Sequence, residues 1–236
     1  MNMLSLVYCE MRKAYKSSVF FVVTIAFTIL PILSLIKYLN ATNASWDLYL
    51  GDTLGGIFVS YMIMGFAFTT CWIFGREYTD KTINDLLVKP ISKLRMVVSK
   101  FIVVFLWNSL LTILMFVVAI LIGLYVGLVN GTTTFILQYF LMFAITSVLT
   151  MIGGTLSSFL ATVTKGYLAP IGLIFISMLA VNIAENVGLS AYIPWTIPGL
   201  VMSDGFLSPI SITILAITGI VGFVGTVAWW RFRDQK

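Results

Sequence analysis

Between Lys100 and Lys165 this chain carries no charged residue. At about 1.5 Å of helical rise per residue, such a run is longer than two crossings of an apolar bilayer core about 30 Å thick. Gly127-Leu-Val-Asn-Gly-Thr-Thr-Thr134 supplies turn chemistry near its middle. The run therefore divides into spans at about 101–126 and 135–162. Further apolar runs at about 17–37, 53–75, 166–185 and 209–230 are each long enough to cross. In lipid, a chain must satisfy its backbone internally, so an all-α membrane protein with six transmembrane helices is expected, as a single domain over residues 1–236.

Composition supports this class. Charged residues are 10% of the chain and hydrophobic residues 60%, against roughly 25% charged in soluble domains. The net charge of +5 lies at segment ends, which fits membrane topology better than a nucleic-acid-binding face. With the amino terminus in the cytosol, every one of the 14 basic residues except Lys37 falls on the inner side. Asp47, Asp52, Glu185 and Asp204 fall outside. This asymmetry predicts a multi-pass protein with both termini cytosolic.

Residues 1–16 read as an interfacial amphipathic helix. Met3, Leu4, Val7, Met11 and Ala14 form its apolar face, and Ser5, Glu10, Arg12, Lys13 and Lys16 its polar one. Trp46, Tyr49, Trp229 and Trp230 are placed at the membrane interface. Residues 186–208, with Pro194 and Pro198, are too broken for a span and too apolar for a free loop. They read as an outer re-entrant or interfacial segment. Gly219, Gly222 and Gly225 allow close helix contact, within the chain or between subunits; Gly153-Gly154 reads the same way.

The densest charge lies in residues 76–95, between the second and third spans. Thr79 or Asp80 can cap a short helix there. Ile83, Leu86 and Leu87 share one face, and Pro90 ends it. A short amphipathic helix with basic flanks, set between two spans, suits docking by a cytosolic partner; a solvated loop is the alternative. Gly75-Arg-Glu-Tyr-Thr-Asp-Lys-Thr82 nearly spells a phosphate-binding loop, but Asp80 stands where its second glycine belongs. The match is therefore coincidence.

No histidine is present, which excludes imidazole-based catalysis and proton relays. Cys9 and Cys71 read as free thiols, without a metal or disulfide framework. Ionisable groups at bilayer depth, which carriers and pumps use, are absent from the spans; Glu185 is the nearest approach. Catalytic and metal sites are not expected. An ion-coupled carrier or channel, and a docking or sensor protein without flux, remain the alternatives to a permease driven by a separate ATPase.

Glu77-Tyr78, Thr82, Leu86-Leu87, Pro90, Ser92-Lys93 and Lys100 resemble the signature of type-2 ABC transporter permeases. In that pattern Lys81 stands where the family usually has glycine, and Lys93 where it usually has arginine. The resemblance implies a permease subunit in a bacterial cell membrane, paired with a second, identical or paralogous, permease subunit and a cytosolic ABC ATPase dimer. ATP and magnesium would sit on that ATPase and no cofactor on this chain. Glu77, Tyr78, Thr79, Asp80, Lys81, Thr82, Ile83, Asp85, Leu86, Leu87 and Pro90 would form the ATPase-coupling segment. Within it Leu86 and Leu87 would supply apolar contact, and Asp80, Lys81 and Asp85 the charged rim. Size and small outer loops resemble the branch that exports amphipathic or antimicrobial peptides, or protects against bacitracin- or lantibiotic-like compounds.

Overall fold

A computed structural model of the chain describes residues 2–38, 44–83, 86, 88 and 90–232. The helices are α1 (Met3–Tyr15), α2 (Ser18–Tyr38), α3 (Trp46–Leu50), α4 (Val59–Thr79), α5 (Lys93–Val126), α6 (Thr133–Val163), α7 (Leu168–Asn186), α8 (Leu200–Ser203) and α9 (Pro209–Phe232). A π-helical segment, Gly51–Phe58, joins α3 to α4 without a break. Among the described residues, five helices are long and apolar enough to cross a membrane. These are α2, the continuous Trp46–Thr79 helix, α5, α6 and α9. The helix at the expected fifth span, α7, has 19 residues.

The turns form where local chemistry asks for them. Gly127 closes α5 in the left-handed conformation at φ 75°, which costs glycine no steric penalty. Thr132 opens α6 by accepting a hydrogen bond from the Phe135 amide.

Three boundaries differ from the sequence reading. The second span begins at Trp46, α4 continues to Thr79, and α5 starts at Lys93. Trp46 and Tyr49 are not at a lipid interface but in the core. The Trp46 ring occupies the space that a side chain at Gly123 or Gly131 would need, 2.5 and 2.4 Å from the respective added Cβ positions. The Tyr49 hydroxyl donates to the Ala119 carbonyl at 2.9 Å. Trp230 is likewise fully buried. In each case protein, not headgroup, covers the ring. The segment before α9 folds back onto the chain: Ile197 and Pro198 are buried, and the Thr196 hydroxyl donates to the Ser190 and Ile193 carbonyls.

The glycine stripe on α9 faces α6 of the same chain. Cβ atoms at Gly219, Gly222 and Gly225 would collide with Ile152, the Thr155–Leu156 backbone and the Phe159 ring. The helices lie close enough for Thr155 to donate to the Gly219 carbonyl at 3.2 Å and for Ser158 and Thr226 to share a 2.8 Å bond. Gly154 differs from this expectation: a Cβ there would meet nothing within 4 Å. It lines a small cavity with Trp195 and Pro198.

Gly222→Val is expected to lower the melting temperature of the detergent-solubilised chain strongly, because its Cβ would lie 2.4 Å from the Thr155 carbonyl carbon. Gly172→Ala, with no atom within 4 Å of the added Cβ, is expected to leave it unchanged or raise it. Thermal melts of the two variants beside the wild type check this.

Candidate functional site

Five charged side chains meet where α1, the end of α4 and the start of α5 come together. Lys100 is 0% exposed. Its ammonium donates to Glu10 Oε2 at 2.9 Å, to Glu77 Oε1 at 3.1 Å and to the Ile73 carbonyl at 3.3 Å. Lys13 bridges the same two carboxylates, at 2.7 Å to Glu10 Oε1 and 3.0 Å to Glu77 Oε1. Arg76 reaches Glu10 Oε2 at 3.5 Å, with its guanidinium 4.6 Å from the centre of the Trp72 ring. Burying such ions costs several kcal/mol each unless partners surround them. Here each carboxylate has at least two cations.

Glu10 was expected on the polar face of the amino-terminal helix. It is instead on the buried face, with Leu6 and Ala14. Lys13 is three residues away, but its other cationic partners, Lys100 and Arg76, are far away in sequence, and the apolar Leu4 is exposed instead. Burial pushes the Glu10 carboxyl up, but the Lys100 and Lys13 ammoniums outweigh it and hold it at about 2, against an ordinary 4.5. Burial also opposes the charge on Lys13, yet Glu10 and Glu77 raise its pKa above the ordinary lysine value.

The loop after α4 is fastened to this cluster. The helix ends with Lys81 in the left-handed conformation, φ 58°. The Thr82 amide donates to the Glu77 carbonyl at 2.9 Å and the Lys81 amide to the Tyr78 carbonyl at 3.1 Å. This is a Schellman closure, whose left-handed position favours glycine. The Lys81 conformation thus gives a physical reason for the glycine of the resembled pattern. The Thr82 hydroxyl then donates to Glu77 Oε2 at 2.6 Å. Thr79 and Asp80 therefore do not open the short helix but end α4, with the Asp80 amide donating to the Arg76 carbonyl at 2.7 Å. Gly75 to Thr79 is helix, not a phosphate-cradling loop.

The short helix is present at Ile83 and Leu86, where the Leu86 amide donates to the Thr82 carbonyl at 3.2 Å. Ile83 and Leu86 are only 6% and 9% exposed and join the chain's own core. Glu77 is buried, Tyr78 half-buried, and Thr79, Asp80, Lys81, Thr82 and Pro90 exposed. Asp85, Leu87 and Lys89 lie outside the described residues. Val88, which the sequence reading passed over, is 85% exposed. The connection from α6 to α7 packs against the end of α4: a Cβ on Gly75 would lie 2.7 Å from both the Gly166 carbonyl carbon and the Tyr167 nitrogen.

Higher in the bundle, a line of polar groups escaped notice in the sequence because none is charged. Thr69 donates to Asn108 Oδ1 at 2.7 Å, and Thr112 and Ser147 share a 2.6 Å bond. These tie α4 to α5 and α5 to α6.

The ABC-2 family transporter protein model matches residues 6–181, which include most of α1, the cluster and the loop. The chain belongs to the ABC-2 transporter family. It is similar to the bacitracin transport permease protein BCRB of Bacillus licheniformis, with 27% identity over 205 residues that cover 82% of this chain and 89% of the relative. This ABC-2 chain is thus a multi-pass membrane permease subunit of an ABC transporter, and its charged cluster is a candidate for positioning the loop.

The Glu10 carboxyl adds a pH dependence of definite sign. Its folded pKa lies below the unfolded one, so its contribution is complete above 4.5 and is lost as pH falls from there toward about 2. Melting temperature in detergent is expected to fall across that window, and Glu10→Gln to flatten the fall while lowering stability at neutral pH.

Proposed function

We propose that this ABC-2 permease subunit exports amphipathic peptides or similar hydrophobic compounds, driven by a separate cytosolic ABC ATPase that grips residues 76–95. One observation carries the reading: a hydrogen-bonded chain runs from Thr82 in the loop through Glu77 to Lys100 and Glu10. A displacement of the loop is thereby applied to α1, α4 and α5 together. The outward surface offered to the ATPase is Val88 with Lys81 nearby, while Ile83 and Leu86 anchor the loop to the permease itself.

For substrate, the similarity to a bacitracin transport permease favours peptide antibiotics. A cavity of about 280 Å³ lies between the π-helical segment, α4, α7 and α8, with room for a side chain or two of such a compound and not for the whole of it. Ser60, Ser190, Thr196 and Ser203 supply hydroxyls on its wall, and Val59, Ile63 and Leu200 apolar surface. In this reading α7 is the fifth of six spans, both termini face the cytosol, and two permease subunits flank the pathway. ATP and magnesium reside on the ATPase.

The test is reconstitution with an ABC ATPase encoded beside the permease. Val88→Asp is expected to abolish ATP-driven peptide transport, or reduce it more than tenfold, with no change in the permease melting temperature. Leu86→Asp is expected to lower the melting temperature itself, since its side chain is internal. Undiminished transport by Val88→Asp would overturn the docking surface. Transport that follows an ion gradient at constant ATP would overturn the ATP-driven reading.

A further inference from the structure

Beside the ion cluster lies a cavity of about 450 Å³, bordered by Lys13 and Ser17 at the joint of α1 and α2 and by Trp72, Arg76, Glu77 and Asp80 on α4 and its end. Its chemistry is two-sided. Deep in it, Arg76 is almost wholly buried, yet among the described residues its guanidinium makes one long hydrogen bond, 3.5 Å to Glu10. A guanidinium carries five N–H donors, and those that Glu10 does not take open onto the cavity, where a ligand's oxygens can replace water. Lys13, part-exposed, and the Ser17 hydroxyl add donors to the same wall. Such a wall suits a phosphate.

The acids sort differently. Both oxygens of Glu77 are occupied, Oε1 by Lys13 and Lys100 and Oε2 by Thr82. Asp80 is exposed at the mouth and, among the described residues, forms no ion pair. A ligand entering here meets a free carboxylate at the rim and unsatisfied cationic donors below. The neighbouring membrane-facing surface is apolar: Tyr15, Phe21 and Val22 are all exposed next to Ser17.

We infer that this cavity binds the head of a zwitterionic aminophospholipid from the adjoining leaflet. The phosphate rests on Arg76, Lys13 and Ser17, the primary ammonium on Asp80, and the acyl chains against α2. A purely anionic lipid would satisfy Arg76 but set its charge near Asp80. A quaternary ammonium would reach the carboxylate without an N–H to donate. The Arg76 guanidinium lies over the Trp72 ring, 4.6 Å from its centre, and both side chains line the cavity.

The experiment is native mass spectrometry and thermal melting of the full chain in mild detergent, titrated with phosphatidylethanolamine, phosphatidylglycerol or phosphatidylcholine. One phosphatidylethanolamine is expected to bind per chain and raise the melting temperature, with about fivefold preference over the other two. Asp80→Asn, a change at an exposed site that leaves the fold intact, is expected to remove that preference while keeping phosphate-dependent binding. Arg76→Gln is expected to weaken binding of all three lipids. Soluble glycerophosphoethanolamine separates the sources: a shift equal to that from the lipid would overturn a membrane origin. Equal binding of the three lipids by the wild type, or a preference that survives Asp80→Asn, would overturn the assignment.

Discussion

The ammonium of Lys100 sits where water does not reach, and the rest of that end of the bundle is arranged to make this tolerable. Its partners come from three elements: Glu10 from α1, Glu77 and the Ile73 carbonyl from α4, with Lys100 itself on α5. A charge with the cost of burial described for such ions is stable only when all three are docked at once. The amino-terminal helix is therefore not a passive float on the membrane but a clamp across the bases of two long helices. Thr82 extends the clamp into the loop, and the close contact of Gly75 with Gly166 and Tyr167 extends it to the connection between α6 and α7.

The middle of the bundle is held by other means. Apolar side chains gain nothing by leaving lipid for one another, so contact depends on fit and on hydrogen bonds across helices. Gly222 lets α9 reach the α6 backbone, and the Ser158–Thr226, Thr112–Ser147 and Thr69–Asn108 bonds stitch neighbouring helices together. Charged cohesion at one end and close-fitting, weakly polar cohesion in the centre give the chain a stiff base below an adaptable core. That division suits the proposed reading, in which the loop end receives force from an ATPase.

Much of this was legible from residue order. Apolar run length located the helices, and Gly127 and Thr132 marked the outer turn. The 3–4 spacing of Ile83 and Leu86 marked the loop helix. What was not legible depended on contacts between distant residues. Glu10 looks like a polar-face residue until Lys100 is seen beside it. Helices α4 and α5 run past their apolar stretches because the charges at their ends neutralise one another, which hydropathy does not register. Trp46 looks like an interface anchor until Gly123 and Gly131 open a slot for its ring. An amphipathic pattern also reports that a face is covered, not what covers it. The apolar face of the loop helix, read as partner-facing, packs inward at Ile83 and Leu86.

The central claim is that Glu77 and Lys100 act as one unit that joins the loop to the bundle. A double-mutant cycle with Glu77→Gln and Lys100→Met tests it most directly, with melting stability and ATP-driven transport both measured. Each single change is expected to cost about 3 kcal/mol and to impair transport, because it strands a buried partner. The double change is expected to cost well under the sum, about half of it or less. Strictly additive losses, or single variants as stable and active as the wild type, would contradict the account.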